Sequence, residues 1–594
     1  MGDTVAPVRL QGGCQTLSTV EPTIASVVPD VSGIDKCFDY IVPARFLSKI
    51  RVGDRVRVDL NGRRVSGWVV SLSADSTVDM KRLVDIVSVS GPSVEADVVP
   101  LTRWISDTWF GPWRAVLASA QAPRVRQRHV EPRRSTNRRL ALDDVAEAAG
   151  EVLASGGGLL VVPPLASALS AVGAAANLGP VLVVCPTMRM VSMGAAALRK
   201  RGFTTAELPD EWERARAGVD IVIGARTAVL GPGAGLASIV VIDEHEESLR
   251  EERSPTWCAT DIALKRAEMM GVPVLLTSPV PSASSFSHFR DRTRVVRAGA
   301  GWPTIEVEDL SDVPVARSLL GSRLLRAARE PGSTVACILN ATGVARAVAC
   351  ASCSSLQECT RCGTTLTTNS DGVLNCRRCS LDLGTVCLRC GRTRFKVVSG
   401  GVGLVSRQLR KATERDVVEV TASEADSWVT GGLFCGTEAL LNRIPKADVV
   451  VFCDIDRDLR APRLSAPREA LSMIARAARL VGSAGSLILQ TRNPSHPLID
   501  ALVSEDPVDA LQAWCAADVD TRRELGFPPF SEVIRVQGLD TDDMGWLTDT
   551  GCDVAVDSNG ILIRSADRDV LESCVAHMRA LKRKVRIHAR PARY

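Results

Sequence analysis

Short apolar runs alternate with Ala-rich segments through the middle of the chain. Four runs rich in Val, Ile and Leu each stop at Gly, Pro or acidic residues, and they lie within residues 179–191, 218–232, 237–248 and 271–282. Segments between them, such as residues 191–202, have the Ala-rich composition of a helix. Strands that alternate with helices predict a parallel α/β sheet, with functional groups at the carboxyl ends of its strands.

The N-terminal part of the chain has a different pattern. Phe38 and Tyr40 lie on either side of Asp39, and such an alternation is typical of a short strand that buries one face in a small β core. Residues 100–124 carry aromatic side chains at helical spacing and predict helices. Residues 124–139 are rich in Arg and have too few apolar residues for a core, so we expect a linker there.

The composition is that of an ordinary globular protein. The 594 residues are 45% hydrophobic and 24% charged, and a chain of this length predicts about three to five domains. The net charge of +4 does not by itself indicate a nucleic-acid partner. No apolar run approaches the roughly 20 residues that cross a bilayer, and the first residues do not resemble a signal peptide. We therefore expect a cytoplasmic protein with reduced thiols and no membrane partner.

Eight of the 18 cysteines form a cluster of four Cys-x-x-Cys pairs. The pairs are Cys350/Cys353, Cys359/Cys362, Cys376/Cys379 and Cys387/Cys390. Two intervening residues let both sulfurs of a turn reach one tetrahedral ion, so four pairs predict two zinc sites. Disulfides and an iron–sulfur centre are the alternatives. The absence of His from the segment favours structural zinc, and the spacing alone leaves open which pairs share an ion.

An acidic pair, Asp243 and Glu244, follows one of the predicted strands, as in proteins that hold magnesium beside a nucleotide. Such a site also requires an upstream phosphate loop, in which glycines flank a Lys-Ser/Thr pair. The corresponding stretch, residues 155–176, contains no Lys and has Pro163 and Pro164 after its apolar run. Because proline lacks the N–H group that would bind phosphate, the sequence predicts no working phosphate loop here.

Several of these segments resemble, in order, those of the bacterial replication restart protein family, called PriA or primosomal protein N′. The family's Phe-Asp-Tyr-x-x-Pro and Val-Gly-x-Arg-Val-x-Val signatures are similar to residues 38–43 and 52–58. Residues 221–232 resemble the Gly-x-Arg-Ser-Ala segment, and residues 523–536 resemble the Glu-Leu-Gly-Tyr-Pro-Pro-Phe segment. The order and spacing of the eight cysteines are the family's most specific mark.

The nucleotide motifs depart from the family's pattern. An alignment without gaps puts Ile242 where the magnesium carboxylate belongs, and a slip of one residue puts Asp243 there. Residues 475–482 keep Arg479 but lose the glycines of the last helicase motif. Residues 401–405 keep the glycines of the family's Gly-x-Gly-Thr-Glu and have Leu404 and Val405 in place of Thr-Glu. The chain resembles a divergent branch of the family, of the type seen in high-GC actinobacteria, that lacks intact helicase motifs.

The resemblance implies an α/β multidomain protein with two degenerate RecA-like lobes of the superfamily 2 helicase type. A small β-rich DNA-binding domain precedes the lobes, a two-zinc cysteine-rich segment is inserted in the second lobe, and an α+β domain follows. The expected boundaries are 20–98 for the N-terminal 3′-end DNA-binding domain, 99–140 for a shortened winged-helix or linker segment, 141–298 for lobe 1, 299–500 for lobe 2 with its insertion at 348–392, and 501–594 for the C-terminal domain.

The resemblance also implies roles for individual residues in the DNA-binding domain. In the family this domain grips the 3′ end of the nascent leading strand. The DNA-binding residues implied here are Phe38, Asp39, Tyr40, Arg55 and Arg57. From the residues alone, Phe38 and Tyr40 could instead alternate into a small β core.

The same resemblance assigns the metal and nucleotide positions. The family's cysteine pairs nest, so that one zinc ion is held by Cys350, Cys353, Cys387 and Cys390, and the other by Cys359, Cys362, Cys376 and Cys379. The degenerate nucleotide site comprises Asp243, Glu244 and Arg479. We expect two Zn²⁺ ions as cofactors and do not expect ATP, because the phosphate-binding groups are missing.

The implied function is replication restart near the nucleoid. We expect the chain to recognise stalled or abandoned forks, to bind forked and single-stranded DNA, and to help reload the replicative helicase without helicase activity of its own. The implied partners are other primosome proteins, the replicative helicase or its loader, and single-stranded DNA-binding protein. The alternatives are an active ATP-dependent 3′–5′ DNA helicase with an atypical nucleotide site, and a zinc-ribbon adaptor with no role at forks.

Overall fold

The structure is a computed structural model that falls into two compact units. It describes residues 24–123, 143–297, 301–313, 319–340, 348–397, 402–420, 431–539, 544–557, 560–581 and 585–591, with further gaps at 354, 356, 358, 362–365, 370, 377–380 and 462. Met1–Asp107 and Pro112–Gln127 form the first unit, and the remaining residues form the second. Among the helices in these ranges, none combines the length and the apolar character that crossing a membrane requires.

The first unit is built on one antiparallel sheet of five strands. The strands are β1 (Ile24–Pro29), β2 (Phe38–Ile41), β3 (Asp54–Leu60), β4 (Arg63–Ser73) and β5 (Ser88–Pro92), and the helices are α1 (Ala44–Leu47), α2 (Val98–Thr108) and α3 (Trp113–Ser119). The strand order is β2-β1-β4-β3-β5. Alternate residues such as Val27, Tyr40 and Val56 fill the core on one side of the sheet, because successive side chains of a strand point to opposite faces. The predicted helices within residues 100–124 are present, whereas the predicted linker, residues 124–139, lies outside the described residues.

The second unit begins with a parallel sheet of seven strands, which we call lobe 1. Its strands are β6 (Gly157–Val161), β7 (Val181–Val184), β8 (Thr205–Leu208), β9 (Ile221–Gly224), β10 (Ser238–Val241), β11 (Val274–Ser278) and β12 (Thr293–Val295). Its helices are α4 (Asp144–Ala154), α5 (Leu169–Ala175), α6 (Met188–Lys200), α7 (Trp212–Ala217), α8 (Ala259–Met270) and α9 (Ala283–His288). The strand order β12-β6-β11-β10-β7-β9-β8 brings the loops after β6, β11 and β10 to one edge, where functional groups of such sheets gather. The α/β alternation predicted from the sequence is therefore confirmed.

A second parallel sheet, lobe 2, follows and carries the cysteine-rich module (residues 348–397). Its first elements are β13 (Thr304–Asp309), α10 (Ser322–Arg329) and β14 (Val335–Ile338), and the module contributes β15 (Val348–Cys350), β16 (Thr367–Thr368), β17 (Leu374–Asn375) and β18 (Phe395–Val397). The lobe continues with α11 (Val402–Thr413), β19 (Val417–Val420), β20 (Leu433–Gly436), α12 (Leu440–Arg443), β21 (Val449–Phe452), α13 (Ile455–Leu459), α14 (Ala466–Val481), β22 (Ser486–Thr491), α15 (Pro497–Leu502) and α16 (Pro507–Glu524). The sheet order is β13-β22-β21-β14-β20-β19.

The chain ends in a small antiparallel sheet with two helices. These elements are β23 (Glu532–Gln537), α17 (Met544–Asp549), β24 (Asp553–Asp557), β25 (Gly560–Ser565), α18 (Arg568–Ala580) and β26 (Arg586–Ala589), and the strand order is β24-β25-β23-β26. The boundary expected at residue 500 differs from the structure. Leu502 of α15 and Leu511 of α16 belong to the hydrophobic core of lobe 2, so the separate C-terminal sheet begins only after α16.

Candidate functional sites

Four cysteine sulfurs of the cysteine-rich module surround one point. Cys350 Sγ lies 3.5 Å from Cys390 Sγ, and Cys353 Sγ lies 3.7 Å from Cys387 Sγ, and all four sulfurs lie within 4.8 Å of one another. Zinc bound tetrahedrally at 2.3 Å from four thiolates separates the sulfurs by about 3.8 Å. The four side chains therefore fit a structural zinc ion, and the structure pairs the first Cys-x-x-Cys turn with the last.

The protein backbone supports thiolate character at Cys387. Burial raises the pKa of Cys387, but the backbone N–H groups of Cys390 and Arg389 outweigh it and lower that pKa to about 6. Gln357, which is 1% exposed, also donates from Nε2 to Cys387 Sγ at 3.3 Å. Gly391 turns the chain after the last cysteine with φ of +71°, which glycine adopts without strain. Zinc binds thiolate rather than thiol, so these contacts favour the metal-bound form.

The second group of cysteines is described only in part. Cys359 and Cys376 are buried and pack with Leu366 and Leu374 in the small core of the module. Their implied partners, Cys362 and Cys379, lie outside the described residues. The second zinc site therefore stays a prediction.

The loop after β6 stands where a phosphate loop would lie. Pro163 and Pro164 are buried there and carry no N–H group. The next two backbone donors already have acceptors, since Leu165 N–H donates to Gly301 O at 3.2 Å and Ala166 N–H donates to Pro163 O at 3.0 Å. In residues 163–166 every backbone donor is thus either missing or bonded to a carbonyl, which is the reverse of an open phosphate cradle.

The acidic pair after β10 is buried, and the carboxylate of Glu244 accepts hydrogen bonds from other residues of lobe 1. Ile242 packs in the hydrophobic core of lobe 1. Glu244 is 4% exposed and accepts hydrogen bonds from Ser282 N at 2.7 Å, Ser282 Oγ at 2.8 Å and Ser285 Oγ at 2.6 Å. It therefore fastens the end of β10 to the start of α9.

Asp243 forms an ion pair across the interlobe cleft, by which we mean the space between the β10 edge of lobe 1 and α14 of lobe 2. Arg479 donates from Nη1 and Nη2 to the two carboxylate oxygens of Asp243, at 2.5 and 2.7 Å. Burial alone would raise the pKa of Asp243, but the guanidinium of Arg479 holds it below its usual range. Burial likewise lowers the pKa of Arg479, and Asp243 more than restores it. The two groups stay charged and satisfy each other.

Two further arginines on α14 contact lobe 1, and sequence reasoning missed both. Arg476 lies 3.7 Å from Glu246 and 3.4 Å from Glu438, and Arg468 donates to the carbonyl oxygen of Pro281. Positions 468, 476 and 479 share one face of a helix. Three Arg residues at that spacing in a mostly apolar helix were the available signal.

In the first unit, the structure separates Asp39 from its neighbours on β2. Tyr40 is 3% exposed and donates from its hydroxyl to Asp59 O at 3.1 Å, and Phe38 packs against the same core. Asp39 points to the other face, where it accepts from Ser26 Oγ at 2.6 Å and Ser76 Oγ at 2.5 Å. The structure therefore does not support DNA contact by Tyr40, because strand alternation buries it, while the carboxylate of Asp39 is held in one position.

Arg55 and Arg57 lie two residues apart on β3 and differ in their contacts. Arg55 donates to Asp30 at 2.5 Å and to Gln121 at 3.2 Å, and its guanidinium covers the ring of Trp68. These contacts give Arg55 a structural role within the domain in place of the phosphate contact implied by the resemblance. Arg57 is exposed and is the one of the two that remains a candidate for phosphate contact.

Comparison with known proteins identifies the first domain. Residues 26–122 match the family model described as the PriA 3′ DNA-binding domain. Among solved structures, a DUF1998 helicase, MrfA, bound to DNA matches 77% of this chain and 69% of its own at 12% identity, with a TM-score of 0.33.

Curated relatives extend the similarity beyond the first domain. The replication restart protein PriA of Thermotoga maritima is 27% identical over 354 residues, which are 55% of this chain and 47% of that protein. The Treponema pallidum PriA is 24% identical over 84% of both chains, and a probable PriA of Mycobacterium tuberculosis is 25% identical over 86% of this chain and 85% of its own. The chain thus spans about half of the Thermotoga protein and most of the other two. Through its match to the 3′ DNA-binding domain and its similarity along most of the chain, the protein is similar to the PriA replication restart proteins.

Proposed function

We propose that this chain is a replication restart factor that binds forked DNA through its first domain and helps reload the replicative helicase without an ATP-driven motor. The match of residues 26–122 to a 3′ DNA-binding domain carries this proposal. Because the chain spans only about half of some PriA relatives, its activity and partners are inferred from the sites it retains.

Asp39 is the residue that we assign to recognition of the 3′ end. A carboxylate is an acceptor-only group with about four lone-pair sites, and the two serine hydroxyls use only some of them. A 3′-hydroxyl or a base N–H could therefore donate to Asp39 without displacing either serine. Arg57, which is exposed on β3, is placed to contact backbone phosphate.

The cysteine-rich module supplies a rigid surface for assembly. We propose that it holds two zinc ions, the first through Cys350, Cys353, Cys387 and Cys390. The module has a core of only a few buried side chains, so metal binding would contribute most of its folding free energy. We assign to it the docking of primosome proteins, of the replicative helicase or its loader, or of single-stranded DNA-binding protein.

We further propose that the lobes do not hydrolyse ATP. Phosphoryl transfer requires a phosphate cradle and a magnesium carboxylate. Residues 163–166 offer no open backbone donor, and Asp243 is engaged by Arg479. The chain therefore offers neither an open phosphate cradle in residues 163–166 nor a free carboxylate at Asp243 for magnesium.

A fork-binding assay with a matched variant tests the recognition step. Asp39→Ala should weaken binding about 5- to 10-fold, or roughly 1 kcal/mol, on forks with a nascent 3′ end at the junction, and should leave forks without that strand unaffected. Asp107→Ala is the control, since it removes the same charge from an exposed pair with Arg103 on α2. Equal affinity of Asp39→Ala and the parent protein for both forks would refute the assignment.

A further inference from the structure

The interlobe cleft is held together by the protein's own charged groups. We propose that the Asp243–Arg479 pair is a latch that keeps lobes 1 and 2 closed without a nucleotide. The latch concerns the conformation of the second unit and does not depend on fork binding by the first. In lobe pairs that hydrolyse nucleotides, closure is commonly driven by the ligand, whereas here the attractive charges belong to the chain.

The geometry of the pair is that of a strong, directional contact. Both guanidinium nitrogens of Arg479 meet both oxygens of Asp243, and a planar fork of this kind combines charge with fixed orientation. The Asp243 side chain is 2% exposed, and that of Arg479 is 30% exposed. Opening the cleft would leave the carboxylate without a partner at the end of a buried strand, which disfavours the open state.

The backbone at Asp243 is shaped for this contact. Its φ is +51°, a left-handed conformation that a residue other than glycine adopts at a cost in free energy. This conformation follows directly after β10 and orients the carboxylate toward α14. A strained residue persists where its surroundings fix it, and here the surroundings are the two hydrogen bonds from Arg479 and that from Glu246 N–H to the Asp243 carbonyl at 3.0 Å.

Further charged contacts lie along the same boundary between the lobes. Arg476 faces Glu246, and Arg468 bonds both the carbonyl of Pro281 and the carboxylate of Asp518 at 2.6 Å. The helix α16 adds two ion pairs with lobe 1. Arg290 donates from Nη1 and Nη2 to the two oxygens of Asp520 at 2.7 and 3.0 Å, and Arg297 Nη2 contacts both oxygens of Asp509 at 2.7 and 2.9 Å. The latter pairs are exposed and contribute little individually, so the buried pair at Asp243 is the main element of the latch.

Hydrogen–deuterium exchange on the full chain tests the latch. Arg479→Met should speed exchange of the backbone at residues 242–249 by at least about 10-fold, because local opening no longer breaks an ion pair. The double variant Asp243→Asn/Arg479→Met removes both charges and leaves no buried unpaired carboxylate, and Asn tolerates the left-handed backbone. We expect this variant to melt close to the parent protein while its cleft still exchanges fast.

A control and a second readout separate the latch from a general loss of stability. Arg463→Met breaks a pair with Glu469 that lies wholly within lobe 2, and it should leave exchange at residues 242–249 unchanged. Small-angle scattering should show a larger radius of gyration for the double variant than for the parent. If the double variant keeps both the parent's slow exchange in the cleft and its radius, the pair does not hold the lobes and the proposal is wrong. Fork affinity, measured on the same variants, is expected to persist in either case.

Discussion

The cysteine-rich module and the interlobe cleft handle their reactive groups in opposite ways. In the module, four sulfurs from distant turns converge within 4.8 Å of one another, and buried polar groups such as Gln357 support them. In the cleft, the carboxylates of Asp243 and Glu244 are each satisfied by other side chains of the protein. The sulfurs of the module are placed to bind a metal ion, whereas the carboxylates of the cleft are bonded to other groups of the protein.

This difference shows when a cluster of charged side chains indicates a bound ligand. Four thiolates packed together repel one another unless a cation lies between them, so their convergence indicates a metal. A buried Asp and Arg neutralise each other, so their pairing needs no ligand. The contrast predicts that metal removal and nucleotide addition will have effects of very different size.

The largest effect is expected in the module. Cys350→Ser removes one of four ligands and should lower the zinc content by about one ion per chain, because structural sites need all four donors. Sites of this kind contribute on the order of 10 kcal/mol to folding, so residues 348–397 should become sensitive to protease. Atomic emission on purified protein measures the zinc. Cys37→Ser, which changes an exposed cysteine outside the module, is the control, and equal zinc in both variants would contradict the site.

A smaller effect is expected from carboxylates on the lobe 2 side of the cleft. Burial, with Asp454 and Glu438 nearby, raises the pKa of Asp458 to about 6. Between pH 4 and 6 the folded chain therefore binds more protons at this group than the unfolded chain, and the free energy of unfolding falls as pH rises. Asp458→Asn should raise stability above pH 6 by up to about 3 kcal/mol and should give no gain at pH 4.

Chemical denaturation at pH 4 and pH 7.5 measures this difference. Asp416→Asn, which alters an exposed carboxylate of lobe 2, is the control and should change little. A cation bound at these carboxylates would favour their charged form and reverse the sign. A loss of stability in Asp458→Asn at pH 7.5 would therefore indicate that these carboxylates bind a cation, as the sulfurs of the module are expected to do.

The smallest effect is expected from nucleotide. If the dissociation constant of Mg-ATP is above about 10 mM, adding about 1 mM Mg-ATP raises the free energy of unfolding by less than about 0.1 kcal/mol. The melting temperature should then move by less than about 0.5 °C. A thermal shift series with Mg-ATP, and with magnesium alone as its control, checks this. A rise of several degrees that requires both components would count against the closed cleft.

Some of these features could be predicted from the sequence because their signals are local. The alternation of apolar runs with Ala-rich segments predicted the parallel sheets, and the Cys-x-x-Cys spacing predicted a metal site. The prediction that residues 155–176 form no working phosphate loop rests on Pro163 and Pro164, since an N–H group that is missing from the residue cannot be supplied by folding.

Other features depend on contacts between distant parts of the chain. Asp243 and Arg479 are 236 residues apart. The family resemblance placed both in one degenerate nucleotide site, but nothing local to either residue predicts that they pair directly with each other. The motif around Phe38 suggested three DNA-binding residues, but strand alternation points Tyr40 into the core and leaves Asp39 outside. Arg55 was expected at phosphate and instead pairs with Asp30, which directly follows β1, while β4 lies between β1 and β3 in the sheet. Burial and pairing of this kind follow from the fold.

The central proposal is that this chain recognises forks without a motor, and fork-dependent ATP hydrolysis tests it most directly. Phosphate release should be measured with zinc-loaded protein, saturating Mg-ATP and a fork that has a 3′ end at its junction, under conditions where binding is verified on the same sample. We predict release no faster than in the absence of protein while the fork is bound. Hydrolysis that rises with fork concentration and saturates with ATP would contradict the account.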